Sequence, residues 1–94
     1  MDDETQAHVI FSGRVQGVFF RSFTEETACG LGLKGWVRNL SEGSVEAVFE
    51  GDRDRIAEAI KKCSKGPPDA YVDNVDTRWG KARGEFSSFS VRYY

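Results

Sequence analysis

The spacing of apolar residues changes along this chain, and the order of those changes limits the folds open to it. Residues 7–12 (AHVIFS) are rich in β-branched and aromatic residues, which is typical of a strand. Gly13 to Gly17 interrupts this run, and from Phe20 the apolar residues follow helical spacing. Gly30 suits the end of that helix, where a left-handed residue is favoured. The chain therefore begins with a strand, a break and a helix.

The middle and the end of the chain carry further strand patterns. Residues 35–40 (GWVRNL) predict a second strand, and the alternation over 44–49 predicts a third strand paired with it. Gly43 can take the positive φ that the intervening turn needs. Residues 71–79 predict a fourth strand, and 86–93 form a last extended run.

A second helix is predicted over residues 52–65. Asp52 can cap its N-terminus, and Gly66 followed by two prolines ends it. The resulting β-α-β-β-α-β order is that of the split βαβ, or ferredoxin-like, α+β fold. It predicts two helices on one face of a mostly antiparallel sheet of four to five strands. Residues 1–6 are expected to be a flexible tail, and 7–94 a single domain.

Charge and composition narrow the classes of function. A hydrophobic content of 39% and a charged content of 30% are globular values. The net charge of −2 argues against nucleic acid as a partner. No apolar run could span a membrane, and the acidic first residues are unlike a signal peptide, so we expect a cytoplasmic monomer. Cys29 and Cys63 form no CxxC pair and are expected to be reduced, with a disulfide left open.

The stretch FSGRVQGVFFR, residues 11–21, joins the first strand to the first helix. Gly13 and Gly17 allow several backbone N–H groups to turn toward one point, which is how a loop at a helix N-terminus binds phosphate. Arg21 in the first helical turn is unfavourable beside the positive end of the helix dipole unless an anion lies between them. The alternative is a tight turn with a solvated Arg21. Neither a Walker pattern nor a GxGxxG pattern is present.

Asn39 ends the second strand, and topology predicts that it approaches the same place. The first and second strands of a split βαβ unit run parallel, so their carboxyl ends lie at one edge of the sheet. Asn39 can therefore lie near the anion site although it follows Arg21 by eighteen positions. The alternative is that Asn39 only shapes the following hairpin turn.

The segments SGRVQGVFFR and GLKGWVRNLSEGSVEAVFEG closely resemble the acylphosphatases, as do GPPDAYVDNVDTRW and FSVRYY. The resemblance extends over residues 8–94. It implies a hydrolase that cleaves the carboxyl–phosphate bond of a small-molecule acyl phosphate. The products are a carboxylate and inorganic phosphate, and the latter is also expected to be a competitive ligand.

The resemblance also implies the roles of individual residues. Arg21 would bind the phosphoryl group, and Asn39 would orient the attacking water. The phosphate-binding loop would comprise Arg14, Val15, Gln16, Gly17, Val18, Phe19 and Phe20. Leu40 departs from many animal members, which carry a hydroxyl residue there; we expect this to change rate or binding without abolishing activity.

The chemistry of an acyl phosphate fits this small set of groups. Its carboxylate leaving group needs no general acid, so catalysis requires mainly positioning and charge stabilisation. A phosphate oxygen of the substrate is the hypothesised proton acceptor. No cluster has metal-ligand spacing, so neither a metal nor another cofactor is expected. His8 is expected to serve packing in the first strand, and no CxxxxxR pattern supports a phosphocysteine.

Two other classes of function share this order of elements. An RNA-recognition module would use sheet aromatics such as Phe11, Trp36 and Phe49, but the RNP pattern is missing. The other alternative is an inert acylphosphatase-like regulatory domain of the type fused to larger carbamoyl-transfer enzymes.

Overall fold

The fold was analysed in a computed structural model that describes residues 4–93. It contains seven elements in the order β-α-β-β-α-β-β. They are β1 (Thr5–Arg14), α1 (Phe20–Gly30), β2 (Lys34–Asn39), β3 (Val45–Gly51), α2 (Arg53–Lys65), β4 (Tyr71–Lys81) and β5 (Phe89–Arg92). The predicted α+β class is confirmed, with five strands in one sheet.

The strand order, β4-β1-β3-β2-β5, positions the functional edge of the sheet. β3 pairs antiparallel with both β1 and β2, and Val45 pairs with Phe11 on one side and Asn39 on the other. β1 and β2 therefore run in the same direction, and their carboxyl ends meet at one edge, as predicted. β5 pairs parallel with β2, which brings its carboxyl end to that edge as well.

The core lies between this sheet and the two helices. The rings of Phe11 on β1 and Phe20 on α1 pack edge to face at 5.2 Å between centroids. The helices contribute one buried stripe each, comprising Phe20, Thr24 and Ala28 from α1 and Ile56, Ala59 and Cys63 from α2. Thr24 is buried although it is polar, because its hydroxyl donates to the Phe20 carbonyl oxygen at 2.9 Å.

Gly35 fixes how β2 and β3 pair. It has a φ of 136° and pairs with Phe49. A Cβ at this position would lie 1.8 Å from the carbonyl oxygen of Val48, so no other residue fits without moving the strands apart.

Several predicted boundaries differ from those in the structure. β1 begins at Thr5, so Thr5 and Gln6 are paired strand residues instead of part of the predicted tail of residues 1–6. Both pair with β3 and β4, and this two-sided pairing outweighs their polar character. β4 runs on to Lys81, two residues beyond the predicted 71–79, whereas β5 is shorter than the predicted 86–93. Residues 1–3 of the predicted tail lie outside the described residues.

The aromatic residues do not form the platform that an RNA-recognition module would need. Phe11 and Phe49 are fully buried on the helix-covered face of the sheet. Trp36 alone of the three is partly exposed, and it lies on the opposite face because it alternates with buried Gly35 and Val37. Within residues 4–93, no helix has the length and apolar character to cross a membrane.

Candidate active site

The loop between β1 and α1 leaves the N-terminus of α1 without a side-chain cap. Phe19 is the N-cap residue, with left-handed backbone angles of φ 62° and ψ 23°. Among the described residues, no side chain caps α1 by accepting a hydrogen bond from the backbone N–H groups of its first turn. That turn also contains no acidic residue. Gly17 has a φ of 73° and open space around it, so backbone conformation and not crowding favours glycine there. The first N–H groups of α1 are thus left available to an anion.

A cavity of about 260 Å³ lies in front of this helix N-terminus. It brings Arg21 and Asn39 together, which is what the strand topology predicted. The full lining comprises Val15, Gly17, Phe19, Phe20, Arg21, Ser22, Asn39, Val91 and Tyr93.

The guanidinium of Arg21 is held from the end of β5. Its Nη1 donates to the carbonyl oxygen of Arg92 at 3.2 Å. The guanidinium also lies over the ring of Tyr93, 4.7 Å from the centroid. An arginine has five N–H donors, so this single bond leaves donors of the planar fork free for a phosphoryl group. Arg92 and Tyr93 were not predicted as site residues, although the parallel pairing of β5 with β2 brings them to this edge of the sheet.

Asn39 presents a buried acceptor that the protein itself does not satisfy. Among residues 4–93, its Oδ1 is the one buried side-chain polar atom without a hydrogen-bond partner. Backbone bonds close the following turn, from Leu40 N–H to the Ser44 carbonyl at 2.9 Å and from Gly43 N–H to the Leu40 carbonyl at 3.1 Å. These backbone bonds close the turn without the Asn39 side chain, so shaping the turn does not explain an asparagine at this position. A buried unpaired oxygen is costly, which suggests that a donor from outside the chain completes it.

The side chains of the predicted phosphate-binding loop take different directions. Val15, Gly17, Phe19 and Phe20 line the cavity. Gln16 points instead to the β2–β3 turn, where its Nε2 donates to the carbonyl oxygens of Leu40 at 2.7 Å and Ser44 at 2.9 Å. Binding of phosphate by this loop stays a prediction.

Two further loop residues lie away from the cavity wall. Arg14 is exposed as the last residue of β1 and pairs with Tyr71 of β4. Val18 is partly buried and packs against the core. If these residues contact phosphate, their backbone groups are the ones suited to it.

Charged residues near the end of β2 are engaged on the other face of the sheet. Glu46 accepts from Arg38 Nε at 2.7 Å and is hydrogen-bonded to His8 Nε2 at 2.5 Å. Burial alone would raise the pKa of Glu46, but the bonds from His8 and Arg38 outweigh it and the pKa is lowered. His8 was expected to serve packing, but its ring is partly exposed and hydrogen-bonded to Glu46.

The described residues hold no group of three or more His, Cys, Asp or Glu side chains suited to a metal ion. Both cysteines are free, Cys29 exposed and Cys63 buried. Burial raises the pKa of the Cys63 thiol to about 11, so this thiol remains protonated at neutral pH.

Comparison with known proteins agrees with this architecture. The family model for acylphosphatase matches residues 7–91. The acylphosphatase of Pelotomaculum thermopropionicum is 49% identical, over 94% of this chain and 96% of the relative. Among solved structures, the acylphosphatase of Bacillus subtilis superposes with a TM-score of 0.91 at 31% identity, over 95% of this chain and 99% of that one. An acylphosphatase from Coxiella burnetii gives a TM-score of 0.86 at 46% identity, over 96% and 94%.

The described fold, with a cavity at the uncapped N-terminus of α1, is thus matched along nearly its whole length by small hydrolases. The chain belongs to the acylphosphatase family.

Proposed function

We propose that this protein hydrolyses the carboxyl–phosphate bond of acyl phosphates, with Arg21 binding the phosphoryl group and Asn39 orienting water. Membership of the acylphosphatase family supports the reaction. The observation that carries the residue roles is the unpartnered, buried Oδ1 of Asn39, a residue that lines the same cavity as Arg21 at an uncapped helix N-terminus.

The phosphoryl group is bound by charge and by directed N–H donors. Arg21 supplies a cation with a planar fork, and the loop of residues 14–20 supplies backbone N–H groups at the positive end of α1. Negative charge on the equatorial oxygens in the transition state is then met by donors that are already in place.

Asn39 orients the nucleophile. A water that donates one hydrogen to its Oδ1 has its oxygen lone pair free to attack phosphorus. A neutral amide is a poor base, so a phosphate oxygen of the substrate takes the proton as the water oxygen bonds to phosphorus. The bond from phosphorus to the acyl oxygen breaks, and the carboxylate leaves with the electron pair without needing an acid. Inorganic phosphate remains as product and as competitive ligand.

Gln16 links the two halves of this site. Its amide bonds the phosphate loop to the carbonyl oxygens of Leu40 and Ser44, directly after the strand that carries Asn39. We assign it a positioning role, because its side chain is committed to the turn and does not reach into the cavity.

We further propose that the protein acts as a monomer without a cofactor. The cavity is formed by one chain, and the reaction needs no electron transfer or Lewis acid beyond the donors named above. Two free cysteines, one of them exposed, are typical of a reducing compartment, which supports a cytoplasmic location.

The test is turnover of benzoyl phosphate by the purified protein without added metal. Arg21→Ala and Asn39→Ala should each lower kcat/KM by about a hundredfold or more, since loss of one transition-state donor costs ~3 kcal/mol. Circular dichroism should show that both variants are folded. Arg53→Ala removes an arginine from the first turn of α2 and is the matched control, with unchanged kcat/KM expected.

Other outcomes would favour the competing functions. Wild-type protein without turnover but with tight binding to single-stranded RNA would support a binding module. Absence of both would leave an inert domain of the acylphosphatase fold.

A further inference from the structure

A second cavity lies beside the candidate active site, along the outer side of α1. This α1 groove has a volume of about 480 Å³. It is lined by Phe19, Ser22, Phe23, Glu25, Glu26, Cys29 and Pro67. Phe19 and Ser22 also line the cavity that contains Arg21 and Asn39. The two spaces therefore adjoin at Phe19 and Ser22.

Phe19 is placed at this boundary at an energetic cost. Its side chain is 81% exposed, so burial of the ring stabilises the fold little. Its backbone has a positive φ of 62°, which bulky residues rarely adopt and which asparagine or glycine would tolerate better. Neither packing nor backbone conformation explains a phenylalanine here, whereas an aromatic surface for a ligand does.

The chemistry of the α1 groove is apolar with a negative rim. Phe19, Phe23 and Pro67 present apolar surface. Glu25 and Glu26 lie along the same groove, and within residues 4–93 neither forms a salt bridge. Such a surface favours an uncharged apolar group and repels a second anion.

We propose that the α1 groove binds the acyl group of the substrate and favours apolar acyl groups over those that carry a second negative charge. This inference rests on the proposed function, since an acyl phosphate held at Arg21 is what directs the acyl group past Phe19. The volume of the groove lies within the range of roughly 300–1,000 Å³ that is usual for small-molecule sites. Phe19 is then a specificity-determining residue, and Glu25 and Glu26 act against dicarboxylate-derived substrates.

The test compares kcat/KM for benzoyl, acetyl and succinyl phosphate in wild type and variants. Each variant is judged by how the ratio of its kcat/KM values for two substrates differs from the wild-type ratio. The intrinsic reactivity of each substrate then cancels. Phe19→Asn, which tolerates the backbone conformation, should lower the benzoyl-to-acetyl ratio about fivefold, the loss expected for one aromatic contact. Glu25→Gln combined with Glu26→Gln should raise the succinyl-to-benzoyl ratio about threefold, as for exposed charges.

Tyr71→Asn is the matched control, because Tyr71 is an aromatic residue on β4 with 67% exposure and no place in either cavity wall. Its substrate ratios should equal those of wild type. Turnover of all three substrates with unchanged ratios in the Phe19 and glutamate variants would overturn the inference alone, as would an equal shift in Tyr71→Asn. Failure of wild type to hydrolyse any of the three would overturn the proposed function itself.

Discussion

The two helices of this protein begin in opposite ways. α2 has Asp52 as its N-cap, whose carboxylate accepts from the Arg55 N–H at 3.2 Å, and Asp54 adds negative charge in the first turn. α1 has Phe19 as its N-cap, no side-chain cap bond among the described residues, and a cation, Arg21, in its first turn. Both helices pack on the same sheet face, so the difference does not come from their surroundings in the core.

We interpret the difference as one between a helix end stabilised by its own sequence and a helix end left open for the proposed phosphate ligand. A good N-cap stabilises a protein by about 1 kcal/mol, which α2 gains from its own sequence and α1 forgoes. α1 also carries a left-handed Phe19, whose conformation costs about 1 kcal/mol more. An anion bound at α1, as proposed above, would supply from outside the chain the negative charge that Asp52 and Asp54 supply to α2.

The largest expected effect comes from giving α1 a built-in anion. Phe19→Asp places a carboxylate at the N-cap, where it should repel phosphate and weaken competitive inhibition by inorganic phosphate about hundredfold. Phe19→Asn is the neutral control of equal size and should weaken it less than about tenfold. Inorganic phosphate has no acyl group, so its inhibition constant reports this charge effect separately from the α1 groove. Equal inhibition constants for inorganic phosphate in Phe19→Asp and Phe19→Asn would mean that no anion binds at this helix end.

An intermediate effect is expected from Gln16→Leu, which detaches the loop of α1 from the β2–β3 turn. We expect kcat for benzoyl phosphate to fall about tenfold, with a smaller change in KM. Misplaced catalytic groups lower the rate of the chemical step more than they weaken substrate binding. Gln6→Leu is the matched control, since the Gln6 amide also bonds across strands, to Glu50 Oε2 at 2.8 Å, but far from the cavity. Both variants should lose stability, and kcat should fall only in Gln16→Leu; a similar fall in both would remove the positioning role.

The smallest effect on activity is expected at the capped helix. Asp52→Ala should lower the free energy of unfolding by about 1 kcal/mol and leave kcat/KM unchanged. The loss should be the same with and without phosphate, whereas phosphate at a hundred times its Kd should stabilise wild type by about 2.7 kcal/mol. Urea unfolding in both conditions measures this, and a phosphate-dependent loss in Asp52→Ala would contradict the separation of the two helix ends.

The juxtaposition of Arg21 and Asn39 could be predicted from the sequence because it depends on topology alone. Alternating and helical patterns gave the order of elements, and the parallel direction of β1 and β2 placed both residues at one edge. The position of β5 was less accessible, because a four-residue strand has too short a pattern to assign its partner.

Other features of the site depend on contacts that no local pattern records. The bonds of Gln16 join positions 24 and 28 residues apart, and the bond of Arg21 to Arg92 joins positions 71 apart. The left-handed Phe19 is also hidden in the sequence, since glycine is the usual signal for that conformation and stands two positions earlier, at Gly17.

Gly35 has a consequence for Asn39 that reaches beyond the packing of two strands. Asn39 faces the helices because it lies four residues after Gly35, with the period of two that a strand imposes. A slip of β2 along β3 by one residue would turn the amide toward the outer face, beside Trp36 and Arg38. By the mechanism proposed above, such a molecule would keep five strands and two helices but would lack the amide that orients the attacking water. The missing side chain of one glycine, whose close approach to Val48 fixes the alignment of β2 on β3, thus decides which face of the sheet carries Asn39.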